Sequence, residues 1–208
     1  MKFLSRLFGA AREADLADRL AFHPSETCPE CGTQLARQTE ARNEADWRCP
    51  NLDCPARLRE RLAHWCSADA LSIAGADAAL IAQLVKQGLA CDVAELYSLK
   101  RSELAALPGR DKEFAQRLLD QLAASKSREG WRVLYGLGIP RLDAEIARQL
   151  CQRFAAVDDL LAAGPDRIVS QGGVGDTVAR SIAFWYGDSV NRRLVRRLQK
   201  AGVNFKTP

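Results

Sequence analysis

Four cysteines in two close pairs, Cys28 and Cys31 in CPECG and Cys49 and Cys54 in CPNLDCP, constrain this 208-residue chain more than any other feature. The spacing is C-x2-C, seventeen intervening residues, then C-x4-C. Each short pair can wrap one edge of a tetrahedral ion, and the segment between must fold back to bring the pairs together. Zinc suits such a set, and four protein ligands leave no open coordination position, which makes the ion structural. A thioredoxin-like redox pair needs one reactive C-x-x-C on a strand-to-helix turn. Here each pair sits among turn residues instead, Pro29, Glu30 and Gly32, then Pro50, Asn51 and Pro55. By spacing alone an iron-sulfur cluster is the remaining alternative. The intervening RQTEARNEADWRC predicts two short strands around a polar turn at Asn43 to Asp46. Cys66, Cys91 and Cys151 fall in helical pattern and are expected to be small buried apolar residues.

No apolar run reaches the roughly 20 residues of a membrane helix, and Arg6 interrupts the apolar start KFLSRLFGAA before it can act as a secretory signal. The expectation is a cytoplasmic, nucleoid-associated protein with no membrane partner, in a compartment where clustered thiols bind metal rather than pair as disulfides. Residues 1–26 predict a helical extension, with Phe3, Leu4, Leu7, Phe8 and Ala11 on one stripe and four basic charges balancing four acidic ones through residue 27.

From Leu58 onward the pattern is helical. Apolar stripes recur at Leu80, Ile81, Leu84 and Val85; at Phe114, Leu118, Leu119 and Leu122; at Ile146, Leu150 and Phe154; at Val178, Ile182 and Trp185; and at Leu194, Val195 and Leu198. Brief loops with Gly or Pro separate them, as in antiparallel helical hairpins. Four of these loops lie about 33 residues apart: IAGAD (73–77), LPGRD (107–111), IPRLD (139–143) and QGGVG (171–175). Each follows, imperfectly, a scheme of two glycines two places apart at a helix start. Glycine there supplies positive φ and lets backbone NH groups approach a phosphate oxygen.

The order of these parts resembles the zinc-finger and helix-hairpin-helix region of bacterial NAD-dependent DNA ligases. The resemblance is carried by CPARLRERLAHWCSADALSIAG, ELYSLKRSELAAL, LAASKSREGWRVLYGLGIP and VNRRLVRRLQKAGVNF, and covers residues 27 to 205. It implies a mainly α fold: a four-cysteine zinc finger over 27–63, then a helix-hairpin-helix domain of two double-hairpin units over 64–205. It also implies that the finger is a structural connector and that the hairpins grip the backbone of double-stranded DNA, nicked duplex included, without reading sequence. The family's adenylation domain, with its Lys-x-Asp-Gly nucleophile, its nicotinamide-binding region, the OB-fold and the BRCT domain have no counterpart in this sequence. No NAD site and no adenylyl-transfer constellation is visible, so the expectation is no ligase activity by the chain alone. His23 and His64 have no nucleophile partner at motif spacing, and His64 is expected to pack or to face phosphate.

Within the region it keeps, the sequence departs from the hairpin pattern. Asp77, Asp111 and Asp143 stand at the second-glycine position, and Arg141 replaces the first glycine of the third loop. Aspartate there can cap the following helix for about 1 kcal/mol. It also repels a neighbouring phosphate by about 1 kcal/mol or more. The candidate DNA-binding residues are therefore led by the fourth loop, Gly173, Val174 and Gly175, with Thr177 and Arg180 after it. Gly75 and Gly109 follow from the weaker loops, and Arg110 and Arg141 are side-chain cations that compensate for their aspartates. Residues 136–208 hold eleven Lys and Arg against seven Asp and Glu, the whole net charge of +4, and Arg192, Arg193, Arg196, Arg197 and Lys200 share one helix there. The expected function is sequence-independent DNA binding in repair or replication. The alternatives are a protein-interaction module with degenerate hairpins that binds a repair protein, and the DNA-binding half of a split ligase that works with a separate adenylation subunit.

Overall fold

The computed structural model describes residues 27–38, 46–51 and 53–207. The chain divides into two compact units, the first ending at Cys54 and the second beginning at Pro55. This boundary precedes the one expected at 63/64, because Pro55 opens a helix that runs unbroken to Cys66. The predicted N-terminal helix and His23 lie outside the described residues, as does most of the turn after the first strand.

In the first unit, strand β1 (Ala36–Gln38) pairs antiparallel with β2 (Asp46–Arg48), with Arg37 opposite Trp47. Asp46 begins β2 rather than closing the turn, a correction to the expected turn limits. Thr27 bridges to Gln34 ahead of the strands. Between them the chain reverses tightly: Gly32 takes φ +71°, its NH donates to the Cys28 carbonyl at 2.8 Å, and the Cys28 NH donates to the Thr33 carbonyl at 2.8 Å. Two three-residue strands cannot hold themselves together in water.

The second unit is all helical. Its elements are α1 (Pro55–Cys66), α2 (Ala78–Lys86), a 3-10 turn (Glu95–Ser98), α3 (Arg101–Ala105), α4 (Lys112–Ser125), α5 (Gly130–Gly136), α6 (Ala144–Cys151), α7 (Val157–Leu161), α8 (Pro165–Gly172), α9 (Asp176–Gly187) and α10 (Ser189–Lys200). The most extensive helix pairings are α1 with α2, α3 with α4, α5 with α6 and α8 with α9. These are the four hairpins, and the predicted stripes supply their shared core: Leu80, Ile81, Leu84, Leu118, Leu122, Leu150, Phe154, Ile182, Val195 and Leu198 are all buried. Trp65 joins them and donates from its indole to the Tyr97 hydroxyl at 3.2 Å, since a buried N–H needs a partner. Cys66 and Cys151 are buried as expected. Cys91 is exposed, against expectation, because it precedes an acidic turn where its NH donates to Glu95 Oε2.

The last described residues form a strap between the two halves of this unit. Asn204 donates from its backbone to the Lys126 carbonyl and from its side chain to the Arg128 carbonyl, at 2.8 and 3.1 Å. Val157 NH donates to the Phe205 carbonyl, Lys206 bridges to Ala156, and the Thr207 hydroxyl donates to the Phe154 carbonyl. A Cβ on Gly130 would strike the Lys206 carbonyl oxygen, so glycine is required there by backbone approach.

Candidate metal centre and nucleic-acid interface

The Sγ atoms of Cys28, Cys31, Cys49 and Cys54 all lie within 4.8 Å of one another. Cys28 and Cys54 approach to 3.6 Å and Cys31 and Cys49 to 3.5 Å. A zinc tetrahedron with bonds of about 2.3 Å has edges of about 3.8 Å, so the thiols already stand at ligand separation. The tight reversal at Gly32 positions the first pair. The second is brought over by β2, and Pro55 then starts α1 directly after Cys54. Thr33 lowers Cys31 to about 6 through its hydroxyl and backbone, whereas burial pushes Cys49 up to about 12. Ligation therefore has to expel a proton from Cys49. Cys28, Cys49 and Cys54 are buried, which suits a structural zinc ion held away from substrate.

The hairpin loops share one backbone construction. Gly75, Gly109, Arg141 and Gly173 occupy the same place in loops one to four and take φ of +87°, +72°, +66° and +68°. Two residues on, Asp77, Asp111 and Asp143 N-cap α2, α4 and α6, accepting from the NH groups of Leu80, Phe114 and Ile146 at 2.7, 2.6 and 2.8 Å. These are the caps that the sequence predicts. Gly175 holds the same position before α9 at φ −69°, ψ 153°, with no side-chain cap, and a Cβ there would meet nothing within 4 Å. The second glycine thus leaves room at the helix start; positive φ belongs only to the first.

Side-chain clamps join the loops in pairs. In the first half, Gln83 of α2 donates to the Pro108 carbonyl at 3.0 Å, and Arg110 donates to Asp77 at 3.0 Å while lying over the Phe114 ring. In the second half, Gln149 of α6 donates to the carbonyls of Gly172 and Gly173, both at 3.1 Å, and the Ser181 hydroxyl of α9 donates to the Pro140 carbonyl at 2.6 Å. Gln83 and Gln149 each stand six residues after a capping aspartate, a repeat signal that the sequence reading missed.

The candidate DNA contacts divide by what already engages them. Gly173 and Gly175 are exposed, and the Val174 side chain packs against the core, leaving its backbone as its contribution. Thr177 is exposed, and Arg180 is exposed but paired with Asp176 at 2.8 Å. Gly75 and Gly109 sit at their loop tips, while Arg110 is drawn back onto loop one by Asp77. Arg141 is exposed at the tip of loop three. The five cations of α10 do not form one open face. Arg192 turns back to the carbonyls of Tyr186 and Gly187, capping the end of α9, and Arg197 bonds Asp92 and Glu95 on the acidic turn. Arg193, Arg196 and Lys200, at i, i+3 and i+7, remain as an exposed ridge, with Arg193 3.5 Å from the Ser189 hydroxyl. His64 packs edge-on against Tyr135 and bonds its carbonyl at 2.8 Å, which makes it a packing residue.

Residues 27–56 match the NAD-dependent DNA ligase C4 zinc finger domain, residues 67–124 the SAM-like helix-hairpin-helix tandem, and residues 132–195 the helix-hairpin-helix motif. The chain is 42% identical over 180 residues to a DNA ligase of Gloeobacter violaceus, covering 86% of this chain and 26% of that protein. It is 38% identical over 185 residues to a DNA ligase of Koribacter versatilis, covering 89% and 27%. It is 34% identical over 202 residues to a DNA ligase of Synechococcus sp. strain JA-3-3Ab, covering 97% and 30%. The chain thus spans between a quarter and a third of the length of these curated relatives. Among the described residues no helix is long and apolar enough to cross a membrane.

Proposed function

We propose that this chain, which carries the zinc-finger and helix-hairpin-helix region of the NAD-dependent DNA ligases, grips duplex DNA by its phosphate backbone without reading sequence, in repair or replication. The observation that carries the reading is the pair of clamped loops in the second half. Loop four offers an uncapped, uncrowded helix start at Gly175, and loop three, held beside it through Ser181 and Pro140, offers Arg141. A helix N-terminus with free NH groups attracts anionic oxygen, and a left-handed arginine at a loop tip is strain that a stability role does not repay. Arg193, Arg196 and Lys200 supply further positive charge in the same segment. None of these groups discriminates bases, since NH groups and cations that meet phosphate carry no sequence information.

In the first half the corresponding groups are engaged within the protein: three successive features, the Asp77 cap, the Arg110 pair and the Asp111 cap, are satisfied internally. We assign these two hairpins chiefly to scaffolding, and the zinc ribbon to the same structural role. The chain alone performs no nick sealing in this reading, and incubation of nicked duplex with NAD and magnesium should leave the nick open.

The test is fluorescence anisotropy on nicked and intact duplexes across a salt series, comparing the chain with a triple variant of R193A, R196A and K200A and with R141A. Affinity should fall steeply with salt, and the slope should lessen by about one for each phosphate contact removed. No binding at low salt, or slopes identical in all variants, would overturn the reading.

A further inference from the structure

Phe184 is the most exposed large apolar side chain among the described residues, with 87% of its surface open. The rest of α9 is conventionally patterned, with Ala179 and Ile182 buried and Val178 and Trp185 packed against the core. Phe184 lies on the opposite face. Thr177, Arg180, Ser181 and Phe184, at i, i+3, i+4 and i+7, form one stripe that begins directly after the Gly173 to Gly175 loop. Ser181, one turn before the ring, is the residue that holds the Pro140 carbonyl, so the same stripe also abuts the tip of loop three with its exposed Arg141.

The ring's neighbours on this stripe are a threonine, a serine and an arginine, not the contiguous apolar side chains of a protein-docking ridge. A single aromatic face beside two hydroxyls and Arg180, which Asp176 holds at 2.8 Å, matches the chemistry of a nucleobase, whose π-face stacks on an aromatic ring. An uninterrupted duplex buries its base faces against one another and offers no such face; an interrupted one does. We infer that Phe184 is a stacking ledge for the base or terminal base pair laid open at a gap or nick, and that it gives this chain a preference for interrupted over continuous duplex. The inference rests on the DNA-binding reading above and specifies which DNA structure that site selects.

The test uses the full zinc-loaded chain with three duplexes of one sequence, continuous, nicked and missing a single nucleotide, each carrying 2-aminopurine beside the interruption or at the equivalent position. The chain should bind the gapped duplex about tenfold more tightly than the continuous one and quench the probe. F184A should lose that tenfold, bind continuous duplex within about twofold of the parent, and keep the parent salt slope, because no charge is removed. F184W should restore both preference and quenching, and R180A should instead lower the slope on all three. Melting temperature monitors folding, which an open ring leaves unchanged. Equal weakening of F184A on all duplexes, or no weakening, overturns the inference while salt-dependent binding keeps the DNA reading. A parent chain that binds none of the three removes the DNA reading itself.

Discussion

Gln149 reaches from α6 to the carbonyls of Gly172 and Gly173, 3.1 Å from each, so the loop that leads into α9 is held by the helix that follows loop three. With the Ser181 bond to the Pro140 carbonyl, this ties the two loops together. Gln83 reproduces the clamp in the first half by donating to Pro108.

Replacing Gln149 with alanine removes two hydrogen bonds to loop carbonyls and should cost about 1 to 2 kcal/mol of stability. DNA affinity should fall several-fold while the salt slope stays that of the parent, since the charges remain and only their placement loosens. Q83A should show the stability loss without the affinity loss. Urea denaturation and anisotropy on the same preparations check both.

Gly175 and Asp143 occupy equivalent helix starts with opposite chemistry. G175D should add an N-cap to α9, gain a few tenths of a kcal/mol of stability, and weaken DNA binding by setting a carboxylate at the proposed phosphate contact. D143G should do the reverse, losing a few tenths of a kcal/mol and binding more tightly. A G175D chain that binds DNA as the parent does would remove loop four from the interface.

The zinc prediction needs no nucleic acid. C49S removes one of the four thiol ligands, and elemental analysis should then find less than one zinc per chain, with the ribbon unfolded by NMR and α1 through α10 retained. Stripping the parent with a chelator should give the same spectrum. Unchanged metal content in the variant would sink the four-thiolate assignment.

Asp77 gives a pH signature. The Leu80 NH, and after it Arg110, hold its carboxyl below the ordinary carboxylate range. A depressed folded-state pKa contributes stability that is complete above the unfolded value of about 3.9 and is lost as pH falls through the folded one. The stability difference between the parent and D77A should therefore be flat from pH 7 to 5 and shrink below about pH 4. A difference that persists undiminished to pH 2 would show that the carboxylate's charge is irrelevant to the cap.

G130A drives a methyl into the Lys206 carbonyl and should destabilise the helical unit by about 2 kcal/mol, whereas G187A, where a Cβ meets nothing within 4 Å, should be close to neutral. Differential scanning calorimetry distinguishes them.

What was legible in the sequence was local. The zinc ligands of each pair stand within a few residues of one another, and that spacing is itself a metal-ligand signature. The caps at Asp77, Asp111 and Asp143 follow from residue type at a helix start, and the apolar stripes follow from period. Most of what was not legible depends on partners distant along the chain. The basic helix looked like one continuous face because nothing near Arg197 in sequence announces Asp92 and Glu95, 105 and 102 residues away, whereas Arg192 folds back onto carbonyls only six and five residues before it, a local cap that residue type does not signal. The clamps at Gln83 and Gln149 were hidden for the same reason as the Arg197 pairs, their carbonyl partners lying 25 and 24 residues away. The purpose of Gly175 was misjudged because two glycines in a short motif invite one explanation, and the backbone required two.

The strap from Val203 to Thr207 also has a mechanical meaning. Tension applied at the C-terminal end would enter the molecule through backbone bonds to Lys126, Arg128 and Val157 and through the Thr207 hydroxyl, all at the seam between the two double hairpins. Those bonds would yield before any hairpin loop felt the load. The seam is therefore where a molecule pulled from that end should first come apart.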